Sequence, residues 1–156
     1  MDSSNEGFVF EPAPDHPGWH TWNLADPSLF NAQTMGAMLV RKENLPGGAP
    51  AVRLRFAPER RHSNLANAVH GAITLSLIDI SLFAAMRILL GGNAAGAVTL
   101  DLSTQFIGAG RIGEPLDAVV EVLRETGRLV FLRGMVEQRD ATIAAFNGTI
   151  RKASRP

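Results

Sequence analysis

The chain has 156 residues, and its 15 Lys and Arg balance 15 Asp and Glu, so its formal net charge is zero. This length suits one domain that buries a core without a disulfide or metal staple. Hydrophobic residues make up 46% and charged residues 19%, which excludes a disordered or fibrous chain. There is no Cys, so a disulfide scaffold, a thiolate nucleophile and a Cys-ligated metal site are excluded as well.

The charges are unevenly distributed along the chain. Residues 1–40 hold five carboxylates and no Lys or Arg, a net charge of −5, whereas residues 41–156 carry all 15 cations and a net charge of +5. Thirteen of the cations are Arg, which binds phosphate through paired hydrogen bonds, although a preference for Arg codons is the simpler explanation. No basic run exceeds two residues, so a nucleic-acid partner is not expected.

The N-terminal part is predicted to be irregular. Residues 1–25 are rich in Pro, Gly, Asp and Ser, and Trp19 and Trp22 are expected to anchor them to the body. No basic start followed by an apolar run is present, so no signal peptide is predicted and a cytoplasmic location is expected. Asp26-Pro27 is a helix-start signal, which predicts a short helix over residues 27–33.

One segment is typical of a long buried helix. Residues 72–90 contain 14 apolar residues in 19, and Asp79 and Arg87 are their only charges. The length would suit a membrane span, but a carboxylate near the centre costs a few kcal/mol there, so a helix inside a soluble fold is preferred. Gly91-Gly92 are expected to end this helix.

The remaining regular elements are predicted to be strands. Residues 51–56 alternate apolar residues with Arg, as a half-buried strand does. Four more strands are predicted after the helix, at residues 97–107, 116–124, 129–138 and 142–152, with hairpin turns at Thr126-Gly127 and Arg139-Asp140. A curved antiparallel sheet wrapped around the single long helix is the economical solution, which predicts an α+β fold. The bare sheet edges and faces also favour dimerisation.

The residues around the start of the helix suggest a reaction site. The first turn of a helix has unpaired N–H groups, and Gly71 has no Cβ, so a carbonyl could approach its N–H as in an oxyanion hole. Burying the Asp79 carboxylate in so apolar a helix is unfavourable unless the group is paired or faces a cavity, as a reactive group would. Its presence is explained equally well if Asp79, Ser76 and Arg87 lie on one solvent-exposed stripe of the helix. His70 alone is more simply explained as a cap.

The spacing of four residues resembles the motif of the hotdog-fold acyl-CoA thioesterases of the phenylacetic-acid-degradation type. These residues are Asn64, His70, Gly71 and Asp79. In that family an Asn is followed after six residues by His-Gly-Gly, and an Asp follows nine residues after the His. The resemblance covers roughly residues 35–152. Thr99, on the strand after the helix, matches the position of a catalytic Ser or Thr.

Two residues depart from the family pattern. Ala72 replaces the second Gly of His-Gly-Gly, and its methyl group could narrow the approach to the start of the helix. Asn67 replaces a Gly that is common before the His. The resemblance divides the chain into an acidic extension with a short helix, residues 1–34, and a hotdog thioesterase domain, residues 35–156.

The resemblance implies hydrolysis of an acyl- or aroyl-CoA thioester. The Gly71 N–H and the Asn64 amide would stabilise the oxyanion, while Asp79 from the neighbouring subunit would act as general base or nucleophile. Thr99 would help place the water, and His70 would support the loop or the carbonyl. The site would lie at the interface of a homodimer or dimer of dimers, with no metal or bound cofactor beyond the coenzyme A of the substrate and no membrane partner.

The nucleotide end of coenzyme A needs cationic partners. The candidates are Arg111, Arg128, Arg151 and Lys152, although each is explained at least as well as a solvated surface charge. The glycines of residues 108–113 are predicted to form turns rather than a phosphate cradle.

Two other functions compete with this interpretation. A non-catalytic acyl-CoA-binding or ligand-sensing hotdog protein is the alternative that Ala72 keeps open. A hotdog dehydratase or hydratase would need a His paired with Asp or Glu in that family's spacing, and none occurs around His62 or His70.

Overall fold

A computed structural model describes residues 7–154 of the chain. Within them, one long helix and nine strands form the regular structure, and two single turns, a π-helical turn at Asn31–Met35 and a 3₁₀ turn at Arg60–His62, lie before the helix. In chain order the elements are β1 (Phe8–Val9), β2 (His20–Thr21), β3 (Asn23–Leu24), β4 (Met38–Asn44), β5 (Pro50–Phe56), α1 (Gly71–Leu90), β6 (Val98–Phe106), β7 (Leu116–Glu125), β8 (Leu129–Gln138) and β9 (Ala141–Arg151).

Seven of the strands form one antiparallel sheet that packs against α1. Its order is β2-β4-β5-β7-β8-β9-β6, so β6 is an edge strand although it directly follows the helix in the chain. The sheet approaches α1 so closely that a Cβ on Gly148 would lie 2.6 Å from Leu82 of the helix. The core between the two layers is apolar, and Leu54, Val120, Leu132 and Leu77 in it are almost fully buried. The predicted α+β fold, a curved antiparallel sheet around one helix, is confirmed.

The long helix is a core element. It begins one residue earlier than predicted and ends at Gly91, whose left-handed backbone (φ 66°) suits a residue without Cβ. Its length and composition would allow it to cross a membrane, but 56% of its most apolar 18-residue stretch is buried inside the protein. The ends of the four strands after it lie within one residue of the predicted ends.

The short helix before the main sheet begins further along the chain than predicted. Asp26 accepts hydrogen bonds at Oδ1 from the Ser28 N–H at 2.8 Å and the Ser28 hydroxyl at 2.6 Å, which closes a turn over these residues. The helical turn therefore lies at Asn31–Met35 rather than at residues 27–33, which corrects the expectation. Asp26 was expected to cap a helix, but an Asp side chain can make the same local hydrogen bonds in a turn, as it does here.

Both tryptophans anchor the N-terminal segment. Trp22 is 1% exposed within the core, and the guanidinium groups of Arg41 and Arg55 each lie 4.6 Å from the centre of the Trp19 ring. The short strands of this segment were not predicted, and one of them, β2, extends the main sheet beside β4. Residues 1–6 of the proposed extension lie outside the described residues, and the domain boundary at residue 34 stays a prediction.

Candidate active site

The start of α1 presents a hydrogen-bond donor that no described residue uses. His70 is the N-cap, and its Nδ1 accepts the Ala72 N–H at 3.0 Å, so the proton of the neutral ring is on Nε2. The Gly71 N–H makes no hydrogen bond within residues 7–154. Because the first N–H groups of a helix carry partial positive charge, this amide can bind an oxyanion.

Asn64 organises the loop that precedes the helix. Its Oδ1 accepts the N–H groups of Ala66 at 2.9 Å and Ala68 at 3.1 Å, which leaves the side-chain NH₂ as the group that can donate to a ligand. Asn67 has a left-handed backbone (φ 58°), and Asn is the residue that adopts it most readily after Gly. Asn67 therefore adopts a backbone conformation that a Gly at this position would also allow.

A cleft of about 390 Å³ lies against the start of α1. One wall consists of Asn64, Ala68, Val69, Gly71 and Thr74, and the other of residues 106–110 and Ile143. The Phe106 ring lies 3.5 Å from the position that a Cβ on Gly71 would occupy. Ala72 is exposed and is not among the lining residues, so its methyl group does not narrow this cleft.

The glycines of the second wall are required by close packing. A Cβ on Gly108 would lie 2.8 Å from the Thr142 carbonyl oxygen, and a Cβ on Gly110 would lie 3.0 Å from Val69. The Gly110 carbonyl also accepts the Val69 N–H at 2.8 Å, which joins this wall to the Asn64 loop. These contacts explain the glycines without a phosphate ligand.

Gln138, at the end of β8, holds that second wall in place. Its Oε1 accepts the Arg111 N–H at 2.6 Å, and its Nε2 donates to the carbonyls of Arg111 at 2.9 Å and Glu114 at 3.0 Å. The side chain is buried with all three bonds made, and Arg111 in turn pairs with Ala68 of the Asn64 loop. A hydrogen-bonded path thus runs from Gln138 to the cleft.

Asp79 lies away from this cleft. Its Oδ1 accepts the Thr99 hydroxyl at 2.6 Å, and both side chains are partly buried between α1 and β6. Eight residues separate it from Gly71, which places it about 12 Å further along the helix. Arg87, on the same stripe of α1, has its guanidinium over the rings of Phe8 and Trp22 at 5.0 and 5.7 Å.

The predicted site residues therefore fall into two groups. We call Asn64, His70 and Gly71 the donor half-site, and Asp79 and Thr99 the base half-site. Within the described residues, no group of three or more His, Asp or Glu side chains could hold a metal ion.

The four candidate cations do not form one cluster within the chain. Arg111 is exposed beside the cleft, 3.7 Å from Glu114. Arg128, Arg151 and Lys152 lie together at the opposite end of the sheet, where the Lys152 N–H donates to the Arg128 carbonyl and its Nζ lies 2.8 Å from Glu125.

Two residues of the cleft region were missed by the sequence interpretation. Thr74 is the polar residue three positions after Gly71, a spacing that places both on one helix face and could have indicated it. Gln138 ends a strand where a polar residue is ordinary, so no local signal distinguished it.

Comparison with solved structures identifies the fold. The fold matches thioesterase superfamily member 2 of zebra fish, at 22% identity and a TM-score of 0.58 over 73% of this chain and 81% of that one. It also matches the Escherichia coli PaaI protein at 16% identity and a TM-score of 0.59 over 79% and 83%. A mutant of the phenylacetic acid degradation protein PaaI from Thermus thermophilus aligns at 18% identity and a TM-score of 0.58, over 72% and 92%. The chain has the hotdog fold.

The family is defined by sequence. The model of the thioesterase superfamily matches residues 66–145, just over half of the chain. The chain belongs to this superfamily, and its enzyme class is thioester hydrolase. A search of curated protein sequences gives no match.

Proposed function

We propose that the protein hydrolyses an acyl- or aroyl-CoA thioester in a site formed by two copies of the chain. The observation that carries the proposal is the arrangement of the two half-sites. The residues with unused N–H donors line the cleft at the start of α1, while a hydrogen-bonded carboxylate lies about 12 Å away on the same helix. Reacting groups must come within about 3–3.5 Å of one another, so one chain does not complete the site.

The edge strand β6 is the natural surface for a second copy. It has no strand partner on its outer side among the described residues, and it exposes apolar side chains, including Leu100 at 55% and Phe106 at 53%. Long apolar edges of this kind pair with another chain. Antiparallel pairing of β6 with its own copy would continue the seven-stranded sheet across the dimer.

This pairing would bring unlike half-sites together. If the two-fold axis passes near Leu102, the middle residue of β6, Thr99 of the partner subunit lies opposite Thr104 or Gln105, because β6 has a bulge between Thr99 and Asp101. Both residues lie just before Phe106, whose ring covers Gly71, and Thr99 is the residue that donates a hydrogen bond to Asp79. Each dimer would therefore contain two sites, each with donors from one chain and the carboxylate from the other.

The chemistry assigned to the composite site is acyl transfer to water. The thioester carbonyl binds the Gly71 N–H and the Asn64 NH₂, which stabilise the negative charge that develops on its oxygen. Asp79 of the partner subunit takes a proton from water as the water oxygen attacks the carbonyl carbon. The carbon–sulfur bond then breaks, and coenzyme A leaves as a thiolate while the acid is released. Direct attack by Asp79 to form an anhydride is the variant mechanism.

The same pairing suggests a place for the coenzyme A nucleotide. Val98 pairs with Arg151 in the sheet, and in the dimer Val98 would lie opposite Gln105 or Phe106 of the partner subunit. Arg151 and Lys152 would then lie two strand spacings, about 10 Å, from the partner's cleft. Arg128 is beside them, so three cations would face the phosphates there, with Arg111 on the other rim.

Release of free thiol from a panel of aliphatic and aromatic acyl-CoA thioesters tests the reaction. We expect turnover of at least one of them by the wild-type protein. Tight binding without turnover would instead identify a non-catalytic acyl-CoA-binding protein.

Mixing two inactive variants tests the composite site. Asp79→Asn and Asn64→Asp damage different half-sites, so a mixed dimer retains one intact site. Refolding or subunit exchange of an equal mixture should restore about a quarter of the wild-type activity. No restoration in mixtures that contain mixed dimers would exclude a site shared between subunits.

A further inference from the structure

Thr74 places a hydroxyl group in the cleft beside the donor half-site. It lies three residues after Gly71 on the same face of α1, is 2% exposed and is one of the cleft-lining residues. Helical side chains lean towards the N-terminus and cover the preceding turn. The Thr74 side chain therefore lies over the turn that begins at Gly71.

This hydroxyl makes no hydrogen bond within residues 7–154. Two other hydroxyls of α1 do so in the usual way, because Ser76 donates to the Ala72 carbonyl at 2.8 Å and Ser81 to the Ile78 carbonyl at 2.6 Å. The Thr74 oxygen is not one of the fully buried side-chain atoms that lack a partner, so it is accessible from the cleft that the residue lines. The hydroxyl is therefore free to bind a molecule that occupies the cleft.

The chemistry of the cleft indicates what that partner is. The side chains around Thr74 are apolar, and Asn64, the other polar side chain of the lining, already uses its amide oxygen within its loop. Side chains three residues apart on a helix are about 5–6 Å apart, and a hydrogen bond spans about 3 Å. A group bound by Thr74 would then sit two or three carbons from a carbonyl bound at Gly71.

We propose that Thr74 recognises a hydroxyl group on the second or third carbon of the acyl chain, so that the preferred substrates are hydroxyacyl-CoA thioesters. The inference rests on the proposed function, because it assumes that the thioester carbonyl binds at Gly71. Thr74 has both a donor and an acceptor to offer, which suits a substrate hydroxyl in either orientation.

Matched substrates test this role. Butanoyl-CoA and 3-hydroxybutanoyl-CoA differ by one hydroxyl, and Thr74→Val removes the protein hydroxyl while keeping the side-chain shape. We expect the wild-type protein to prefer the hydroxylated substrate. Thr74→Val should lower kcat/KM for that substrate by about 3- to 10-fold, the equivalent of one hydrogen bond, and leave kcat/KM for butanoyl-CoA within about twofold.

Ser81→Ala is the control. The Ser81 hydroxyl is buried on the same helix, donates to the Ile78 carbonyl and lies outside the cleft. It should alter neither substrate's kcat/KM. Thr74→Val should not lower the melting temperature, because the hydroxyl it removes has no partner in the free protein.

Three results would overturn the proposal. Equal losses on both substrates would mean that Thr74 serves the thioester or the water, and no loss on either would mean that it binds nothing. A lowered melting temperature would reveal a structural role. Calorimetric binding of the same two thioesters, with wild type and Thr74→Val, needs no turnover and therefore tests Thr74 separately if no thioester in the panel is cleaved.

Discussion

The two half-sites are built in opposite ways. The donor half-site depends on backbone groups whose positions come from a loop, a helix start and a glycine-lined wall, all joined by hydrogen bonds. The base half-site consists of one carboxylate on α1 and one hydroxyl on β6, which are joined by one hydrogen bond of 2.6 Å. We therefore expect substitutions in the residues that support the donor half-site to reduce activity. For the base half-site, we expect a loss of activity only when Asp79 or Thr99 itself is changed.

Asp79→Asn should cause the largest loss. The amide keeps the shape of the carboxylate but cannot take a proton, and general-base catalysis contributes up to about 10⁴-fold. Steady-state thiol release on the best substrate of the panel should therefore fall by about 10²- to 10⁴-fold, while the melting temperature stays near that of the wild type. Asp140→Asn, on the exposed β8–β9 turn, is the control and should leave the rate unchanged. Wild-type turnover by Asp79→Asn would remove the base half-site from the mechanism.

Asn64→Asp tests the donor half-site while sparing its loop. A carboxylate still accepts the N–H groups of Ala66 and Ala68, but it has no donor and repels an oxyanion. Loss of one oxyanion donor typically costs about 10²- to 10³-fold in kcat, which is the expected effect. Asn64→Ala should add a loss of stability, because both loop N–H groups then lack their acceptor. If Asn64→Asp is fully active, Asn64 serves only the loop.

Gln138→Leu tests whether the donor half-site depends on distant support. The substitution removes three buried hydrogen bonds, so the free energy of unfolding should fall by about 2–4 kcal/mol. We also expect kcat to fall by about tenfold, because small displacements of a donor reduce catalysis strongly. Val130→Ala is the matched control, since it creates a cavity at the other end of β8 without touching the cleft wall. Equal kcat losses in both variants at equal stability would mean that Gln138 is merely structural.

The sequence drew attention to Asp79 more readily than to the residues that support the donor half-site. An isolated Asp79 in an apolar helix is a visible exception to the hydrophobic pattern, and the helix itself was placed within one residue. The support given by Gln138 could not be predicted, because it bonds to a loop 24 to 27 residues away and has the local pattern of an ordinary strand end.

The N-terminal segment shows the same limit. Trp22 was expected to anchor it, but the pairing of β2 with β4 depends on contacts between residues 18 to 20 positions apart in the chain. Irregular segments have no periodicity from which a strand can be inferred. The composition of residues 1–25 therefore indicated attachment without indicating how.

The double variant Arg151→Gln, Lys152→Gln should have the smallest effect on activity. It tests which of the two chains binds the nucleotide of coenzyme A. Exposed cations contribute little each, so KM for an acyl-CoA should rise about fivefold with kcat unchanged, and the difference should shrink at high salt. A pantetheine thioester of the same acyl group lacks the nucleotide and should show no change. Arg133→Gln, an exposed arginine on the outer face of β8, is the control. A rise in KM with Arg111→Gln, and none with the double variant, would place the nucleotide beside the donor half-site's own chain rather than the partner's cations.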